Sequence, residues 1–216
     1  MAKEHTVQQG DHMSQIAKKY GFVDYKTIWD HADNAELKRK RQNPNVLFPG
    51  DVVRIPDRTV REESRPTDQR HRFKVNAPRL KLRIVLEDMY ELPIAHAPCD
   101  LFVDNEKHEL QTDSKGKIEV DIPPTATRGL LSLRTSETAL DELAIPVNIG
   151  HVDPVDEVTG QKGRLGNLGY YIGPIDATED DAFKLAVEEF QCEHGLHVDG
   201  VCGSQTQAKL KTVHGC

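Results

Sequence analysis

Two cysteines and two histidines near the C-terminus have the clearest metal-ligating chemistry in the chain. They are Cys192, His194, His197 and Cys202. Thiolate sulfur and imidazole nitrogen are the usual ligands of structural zinc, but such sites normally pair their ligands at the short Cys-x2-Cys spacing. That spacing is missing here, and a glycine turn separates the two cysteines. We therefore expect no metal, and we expect the four cysteines to be reduced thiols rather than a disulfide framework.

Other reactive residues lack the partners that catalysis requires. A His-Glu-x-x-His string and a glycine-rich phosphate loop do not occur. A glycosidase needs two carboxylates in a deep cleft of a larger domain, whereas Asp113 and Asp121 have the context of turn and surface groups. Cys99 follows a proline at a strand edge and Cys192 lies at a helix end, so neither thiol has an activating partner. We expect neither enzyme activity nor a cofactor.

Two breaks in composition divide the 216 residues into segments that could position these side chains. Residues 58–72 contain Val60 as their only apolar residue, so they cannot bury themselves and indicate a linker. A shorter joint, residues 151–154, follows a strand-like run and precedes a helical one. The sequence predicts domains at 1–57, 73–150 and 155–216.

The first segment predicts the order strand, helix, helix, strand. Residues 5–9 indicate a strand, and an apolar stripe at helical spacing follows the turn at Gly10. A second helix carries Ile28 and Trp29, and we expect Trp29 to be a core aromatic rather than a sugar platform. Residues 52–56 predict a strand that ends at a proline. The apolar stripe of the first helix consists of Met13, Ile16, Ala17 and Tyr20.

Several short strings in this segment, in this order, resemble a LysM module. They are His5-Thr6-Val7, Gly10-Asp11, Ile16-Ala17-Lys18-Lys19-Tyr20-Gly21, Asn34, Pro49-Gly50-Asp51 and Ile55-Pro56. The resemblance implies a shallow groove between two loops that binds glycans containing N-acetylglucosamine, such as peptidoglycan or chitin. Carried over by position, the groove residues are Gly10, Asp11, His12, Met13, Asn45, Val46, Leu47 and Phe48. Residues 35–42 depart from the family because they are longer and more basic than usual.

The middle segment alternates apolar and polar residues with a period of two. Leu80, Leu82, Ile84 and Leu86 share one face, and further strand-like runs follow about every ten residues. The pattern predicts an antiparallel β-sandwich, and it resembles the small prealbumin-like or immunoglobulin-like spacers.

The third segment contains an internal repeat with an offset of 23 residues. Residues 176–191 align with residues 199–210, and each half reads as a turn followed by a helix. Phe183, Ala186, Val187 and Phe190 form the apolar face of the first of these helices. Together with residues 165–169, the set resembles the three-helix peptidoglycan-binding module. The predicted fold class is a multidomain α+β chain: LysM (βααβ), an antiparallel β-sandwich and a small three-helix bundle.

Charge and hydropathy exclude two kinds of partner. Residues 151–216 carry 5 Lys and Arg against 11 Asp and Glu, so we expect no nucleic acid. No run of about 18 apolar residues occurs, so we expect no membrane span. The one basic run is either a solvated helical face or a patch that binds a partner. It consists of Lys38, Arg39, Lys40 and Arg41.

These observations predict a non-catalytic protein that binds peptidoglycan or a chitin-like glycan. Residues 33–37 and 43–51 also resemble LysM proteins encoded beside type VI secretion spikes, which implies an accessory of a contractile secretion machine. Two alternatives stay open: a cytosolic adaptor that docks on a secretion spike or effector without binding glycan, and a targeting subunit of a cell-wall hydrolase. Residues 1–5 lack the apolar stretch of an export signal, so we expect a cytoplasmic protein or one exported by a specialised machine.

Overall fold

A computed structural model describes residues 3–58, 64–72, 79–90, 92–134 and 142–216. The chain divides into two compact units. The first comprises Met1–His5, Met13–Ala35 and Arg54–Ile149, and the second comprises Thr6–His12, Glu36–Val53 and Gly150–Cys216. Part of the predicted linker, residues 59–63, lies outside the described residues, whereas residues 64–72 are exposed. The domain boundaries inferred from composition stay a prediction.

Three helices, rather than the two predicted, lie between the first two strands. The elements are β1 (Lys3–Thr6), α1 (Met13–Lys19), α2 (Lys26–Trp29), a 3-10 turn (Ala32–Asn34), α3 (Ala35–Arg41) and β2 (Val52–Ile55). The added helix α3 is made of alanine, glutamate, leucine, lysine and arginine, all strong helix formers. β1 and β2 form a two-stranded sheet. Trp29 is 5% exposed, as expected of a core aromatic.

Buried Asn34 joins the end of the 3-10 turn to the last strand of this segment. Its Nδ2 donates to the Ile28 carbonyl at 2.9 Å and to the Arg54 carbonyl at 2.7 Å, and its Oδ1 accepts from the Arg54 N–H at 2.8 Å. A buried amide with this many bonds is satisfied, so it fixes the backbone without the cost of an unpaired polar group.

The middle segment forms two antiparallel sheets around one apolar core. The strands are β3 (Leu80–Val85), β4 (Pro98–Val103), β5 (Glu106–Gln111), β6 (Lys117–Ile122), β7 (Arg128–Arg134) and β8 (Glu142–Asn148). β3 pairs with β6, and the second sheet has the order β5-β4-β7-β8. Leu101 and Leu131 are opposite one another in the second sheet, and Ile118 and Ile122 of β6 pack in the same core. The antiparallel strands predicted from the period of two are confirmed.

The C-terminal segment is helical, as predicted. Its helices are α4 (Val158–Asn167), α5 (Asp181–Glu193) and α6 (Ser204–His214). Val187, Phe190 and Leu210 are completely buried, and Leu165 of α4 joins them in one cluster. No helix within the described residues is long and apolar enough to cross a membrane.

The two halves of the internal repeat share a turn geometry. Asp176 accepts a hydrogen bond from the N–H of Thr178 at 3.0 Å, and Asp199 accepts one from the N–H of Val201 at 2.9 Å. Each aspartate thus bonds two residues onward, which tightens the turn before a helix. α5 and α6 then begin after N-caps at Asp180 and Gly203. The structure supports the offset of 23 residues at all of these positions.

Candidate functional site

The residues predicted to line a glycan groove lie in two loops, one between β1 and α1 and one between α3 and β2. Only Asp11, Asn45 and Phe48 are partly or fully exposed. The other five are buried: Gly10, His12, Met13, Val46 and Leu47. Of the eight predicted groove residues, three therefore have side chains that a sugar could reach.

Three of the predicted groove residues, Met13, Val46 and Leu47, have buried side chains. Met13 is completely buried, and Leu47 and Val46 are 5% and 8% exposed. Met13 is the first residue of α1 and continues the apolar stripe of Ile16 and Ala17 into the core. Glycan contact at these three positions stays a prediction from the resemblance.

His12 is an unusual member of the first loop because it is buried without polar partners. Its side chain is 2% exposed, and neither ring nitrogen has a hydrogen-bond partner among the described residues. Burial lowers the pKa of His12 to about 4, against a smaller opposing effect of the Asp11 carboxylate. His12 is therefore neutral at pH 7 and acts as an aromatic packing group.

A buried ion pair fixes the second loop. The Arg41 guanidinium donates to Asp51 through Nε at 2.7 Å and through a terminal nitrogen at 3.0 Å. Asp51 also accepts the N–H of Phe48 at 3.0 Å, and the guanidinium lies 5.4 Å from the centre of the Phe48 ring. This geometry is bidentate and shielded from water, so it holds the turn before β2 in one conformation.

Arg41 therefore differs from the other three members of the basic run. Its side chain is 1% exposed, whereas Lys38, Arg39 and Lys40 are exposed on α3. Three of the four residues of the predicted basic patch are thus exposed, and partner binding there stays a prediction. Because α3 is helical, Arg41 is one turn along from Leu37 and lies on the inner face.

The first loop contacts the beginning of the C-terminal segment within the second unit. The Nε2 of Gln9 donates to the His151 carbonyl at 3.3 Å and to Oδ1 of Asp153 at 3.2 Å. A Cβ added to Gly10 would lie 3.0 Å from Nε2 of His151, and one added to Gly150 would lie 2.9 Å from the Gly10 carbonyl oxygen. The two backbones approach so closely that each position favours glycine.

Charges of the same unit reinforce this contact. Arg41 has a terminal nitrogen 3.7 Å from Oδ2 of Asp156 and 4.0 Å from Oε1 of Glu157, just before α4. Sequence reasoning missed Gln9, His151, Asp153 and the two acidic residues as a group. Their only local signals are the turn glycines Gly10 and Gly150, which do not reveal a contact between positions so far apart in the chain.

A second candidate surface is a shallow cavity of about 220 Å³ between the end of α5 and the start of α6. Gln191 forms its floor, donating to Asp199, Val201 and Thr206 and accepting from two backbone N–H groups. Because every polar atom of this amide is bonded, Gln191 shapes the cavity but is not available to bind a ligand itself. The other lining residues are Leu196, His197, Asp199, Val201, Gly203, Ser204, Gln205 and Thr206.

The four candidate zinc ligands do not converge. Cys192 is an exposed thiol, and burial raises the pKa of the Cys202 thiol to about 12. Nδ1 of His197 lies 3.4 Å from Oδ2 of Asp199. Among the residues that the structure describes, no group of three or more His, Cys, Asp or Glu side chains is placed to hold a metal ion.

Comparison with known proteins identifies a domain at each end of the chain. Residues 5–56 match the family model of the LysM domain, and residues 156–210 match that of a putative peptidoglycan binding domain. No curated protein and no solved structure matches the chain. The resemblances to a LysM module and to a peptidoglycan-binding module are thereby confirmed, and together they support a role in peptidoglycan binding. The chain contains a LysM domain and a putative peptidoglycan binding domain, separated by about 100 residues that neither family model covers.

Proposed function

We propose that this protein binds peptidoglycan without catalysing a reaction on it. The observation that carries the proposal is the pair of matched domains, which both contribute residues to the same compact unit. Two glycan-binding domains in one chain can contact neighbouring positions of a polymer together, which raises the effective concentration of each for the other's site. A polymer such as peptidoglycan is the kind of ligand that rewards this arrangement.

The exposed loop residues have the chemistry to contact a sugar. Asp11 and Asn45 offer oxygen acceptors and an amide donor, which suit hydroxyl and N-acetyl groups. Phe48 is half-buried and offers apolar surface beside them. These three side chains form a small surface that buries little area on a sugar, so the LysM domain alone should bind weakly.

Co-sedimentation of the full-length protein with purified sacculi tests the proposal. We expect wild-type protein in the pellet and a reduced bound fraction for Asn45→Ala and Phe48→Ala. Lys19→Ala, at an exposed position of α1 away from both loops, is the control and should sediment like wild type. Wild-type protein that remains in the supernatant at all concentrations would remove the proposed function.

We propose as a second candidate that the protein also docks on a spike protein of a contractile secretion machine. The three consecutive exposed cations of α3, Lys38, Arg39 and Lys40, favour an acidic protein surface as the partner. This partner agrees with the resemblance of residues 33–37 and 43–51 to LysM proteins encoded beside secretion spikes. The competing explanation is a solvated helix end, where cations are favourable near the C-terminal dipole.

A charge reversal that spares the buried arginine separates these explanations. The triple variant Lys38→Glu, Arg39→Glu and Lys40→Glu should lose binding to a purified acidic spike protein while still sedimenting with sacculi. Arg41 stays in place because its loss would disturb the second loop. Binding that survives the triple reversal, or no binding by wild type, would count against docking through α3.

A further inference from the structure

The first loop, residues 9–12, is covered by a segment of the same chain, residues 150–157, which we call the closing segment. Gly150 has a φ of +77° and Gly10 a φ of +89°, a region that side chains with a Cβ rarely adopt. A Cβ on Gly150 would also lie 3.2 Å from Cδ2 of His12. Backbone of the closing segment therefore lies directly on the loop and on the His12 ring.

Directional bonds accompany this steric fit. Gln9 bonds both the His151 carbonyl and the Asp153 carboxylate, and Arg41 faces Asp156 and Glu157. Arg41 also bonds Asp51 at the end of the second loop. The closing segment thus contacts the first loop directly, and it is linked to the second loop through Arg41.

We propose that the closing segment and the glycan compete for the first loop, so that the LysM domain binds sugar only when residues 150–157 move away. The proposal rests on the proposed function and names its regulation. A site that is open in a fraction of molecules shows an apparent affinity reduced by that fraction. Variants that weaken the closing contact should therefore bind glycan more tightly, although they remove no group that touches the sugar.

Two matched pairs of full-length variants test this competition by titration with chitohexaose. Gln9→Ala removes both side-chain hydrogen bonds to the closing segment. Gln8→Ala is the control, because it makes the same substitution at the adjacent, exposed position. Gly150→Ala places a methyl group against the loop. Gly169→Ala is its control, since Gly169 has a φ of +90° but nothing within 4 Å of the added atom. Gly150→Ala and Gly169→Ala thus place alanine at a similar positive φ, and they differ in whether the added methyl group meets the first loop.

We expect Gln9→Ala to bind chitohexaose roughly tenfold more tightly than wild type, the size that losing one or two hydrogen bonds from the closed state gives. We expect Gly150→Ala to bind more tightly as well, because its methyl group would crowd the Gly10 carbonyl oxygen in the closed state. Both controls should match wild type. Equal affinity in all five proteins, with wild type still captured by sacculi, would overturn the competition and leave the proposed function standing. No binding of oligomer or sacculi by any of them would overturn both.

A second measurement follows the closing contact without any glycan. A recognition sequence for a specific protease, inserted between Thr67 and Asp68, allows the full chain to be cut at an exposed position. We expect the two parts of the cut protein to elute together in size-exclusion chromatography, and Gln9→Ala combined with Asp156→Lys to weaken this association. The control Gln8→Ala combined with Glu189→Lys makes the same charge change at an exposed position of α5. Separate elution of the cut wild-type protein would contradict a stable closing contact, as would equal association of both double variants.

Discussion

Adjacent cations on α3 differ sharply in their environment. Arg41 is buried against Asp51, whereas the ammonium of Lys40 is 3.9 Å from the same carboxylate and its side chain is 58% exposed. Solvent screens the exposed pair, and the side chain loses entropy when it is held in place, so such pairs contribute little. Removal of the buried arginine instead leaves the buried carboxylate of Asp51 without its bidentate partner.

We therefore predict that Arg41→Ala lowers the free energy of unfolding by about 3 kcal/mol, and that Lys40→Ala changes it by less than about 0.5 kcal/mol. Urea denaturation of both variants beside wild type measures the difference. Equal effects of the two substitutions would mean that the Asp51 pair does not hold the second loop.

Two histidines, the buried His12 and the partly buried His214, should make stability depend on mildly acidic pH. Burial lowers the pKa of His12 to about 4, and burial together with Arg164 does the same for His214. In the unfolded chain both histidines become protonated near pH 6.5, whereas in the folded protein they become protonated only near pH 4. The unfolded state therefore binds more protons between these values, and stability falls as pH drops through that window.

We predict that the free energy of unfolding decreases between pH 6.5 and pH 4, with His12 alone accounting for on the order of 3 kcal/mol. His12→Phe should flatten this pH dependence, since phenylalanine keeps an aromatic ring and cannot be protonated. His197→Gln is the control because the side chain of His197 is 83% exposed. A pH profile that His12→Phe leaves unchanged would show that the burial of His12 does not contribute.

At the scale of elements, the strands are predictable because the alternation of apolar and polar residues and the turn residues lie within a few positions of each other in the sequence. Ile118 and Ile122 alternate with polar residues along β6, and Asp113 begins the turn before it by accepting the N–H groups of Lys115 and Lys117. The same holds for the apolar face of α5. The sequence allows a helical face at residues 38–41 but predicts no separate third helix, because the buried residue of α3 is the cation Arg41 rather than an apolar side chain.

The candidate site was predicted only in part, for a physical reason. Sequence resemblance found the two loops, but it could not find which of their residues are buried or what covers them. Gln9 and Asp153 are 144 positions apart, and a single polar contact over that distance leaves no periodic trace in the chain. The burial of Met13 is not evident from the sequence, because an apolar residue next to a loop fits both a groove and a core.

The unequal helix caps of the internal repeat give a prediction at the scale of elements. Asp180 accepts the N–H of Phe183 at 2.7 Å, whereas Gly203, its counterpart, offers no side chain to the first turn of α6. The backbone at Gly203 has a φ of −73°, which other residues adopt freely, and an added Cβ meets nothing within 4 Å. An aspartate there can cap α6 as Asp180 caps α5.

We predict that Gly203→Asp raises the free energy of unfolding by about 0.5–1.5 kcal/mol, from the new cap and the less flexible unfolded chain. Gly195→Asp is the contrasting variant and should destabilise, because Gly195 has a φ of +65°. Thermal unfolding of the two variants distinguishes the cases. A destabilised Gly203→Asp would indicate that this end of α6 does not accept the cap.

At the scale of the whole molecule, the polar stretch between the first two predicted domains is where the chain should be cut first. Residues 64–72 are exposed, and they contain Arg65, Arg70 and Arg72 as sites for trypsin. A protease needs a segment of backbone that can enter its active site, and residues 80–85 are instead bonded within a sheet. Each cut in the polar stretch leaves the two family-matched domains on different fragments.

We predict that limited trypsin digestion cleaves first within residues 58–72 and leaves a resistant fragment that begins near residue 73. Mass spectrometry of the first fragments identifies the site. Initial cleavage within residues 80–86 would contradict the division of the chain into three domains.

The separation of Gln9 from its partners also has a consequence for the newly made chain. Ribosomes add about 5–20 residues per second, so the 144 positions between Gln9 and Asp153 take about 7–30 s to synthesise. During that interval the first loop has emerged but its cover has not. Each nascent chain therefore passes through a period in which the first loop lacks the residues that contact it in the finished protein, until the last third of the chain is made.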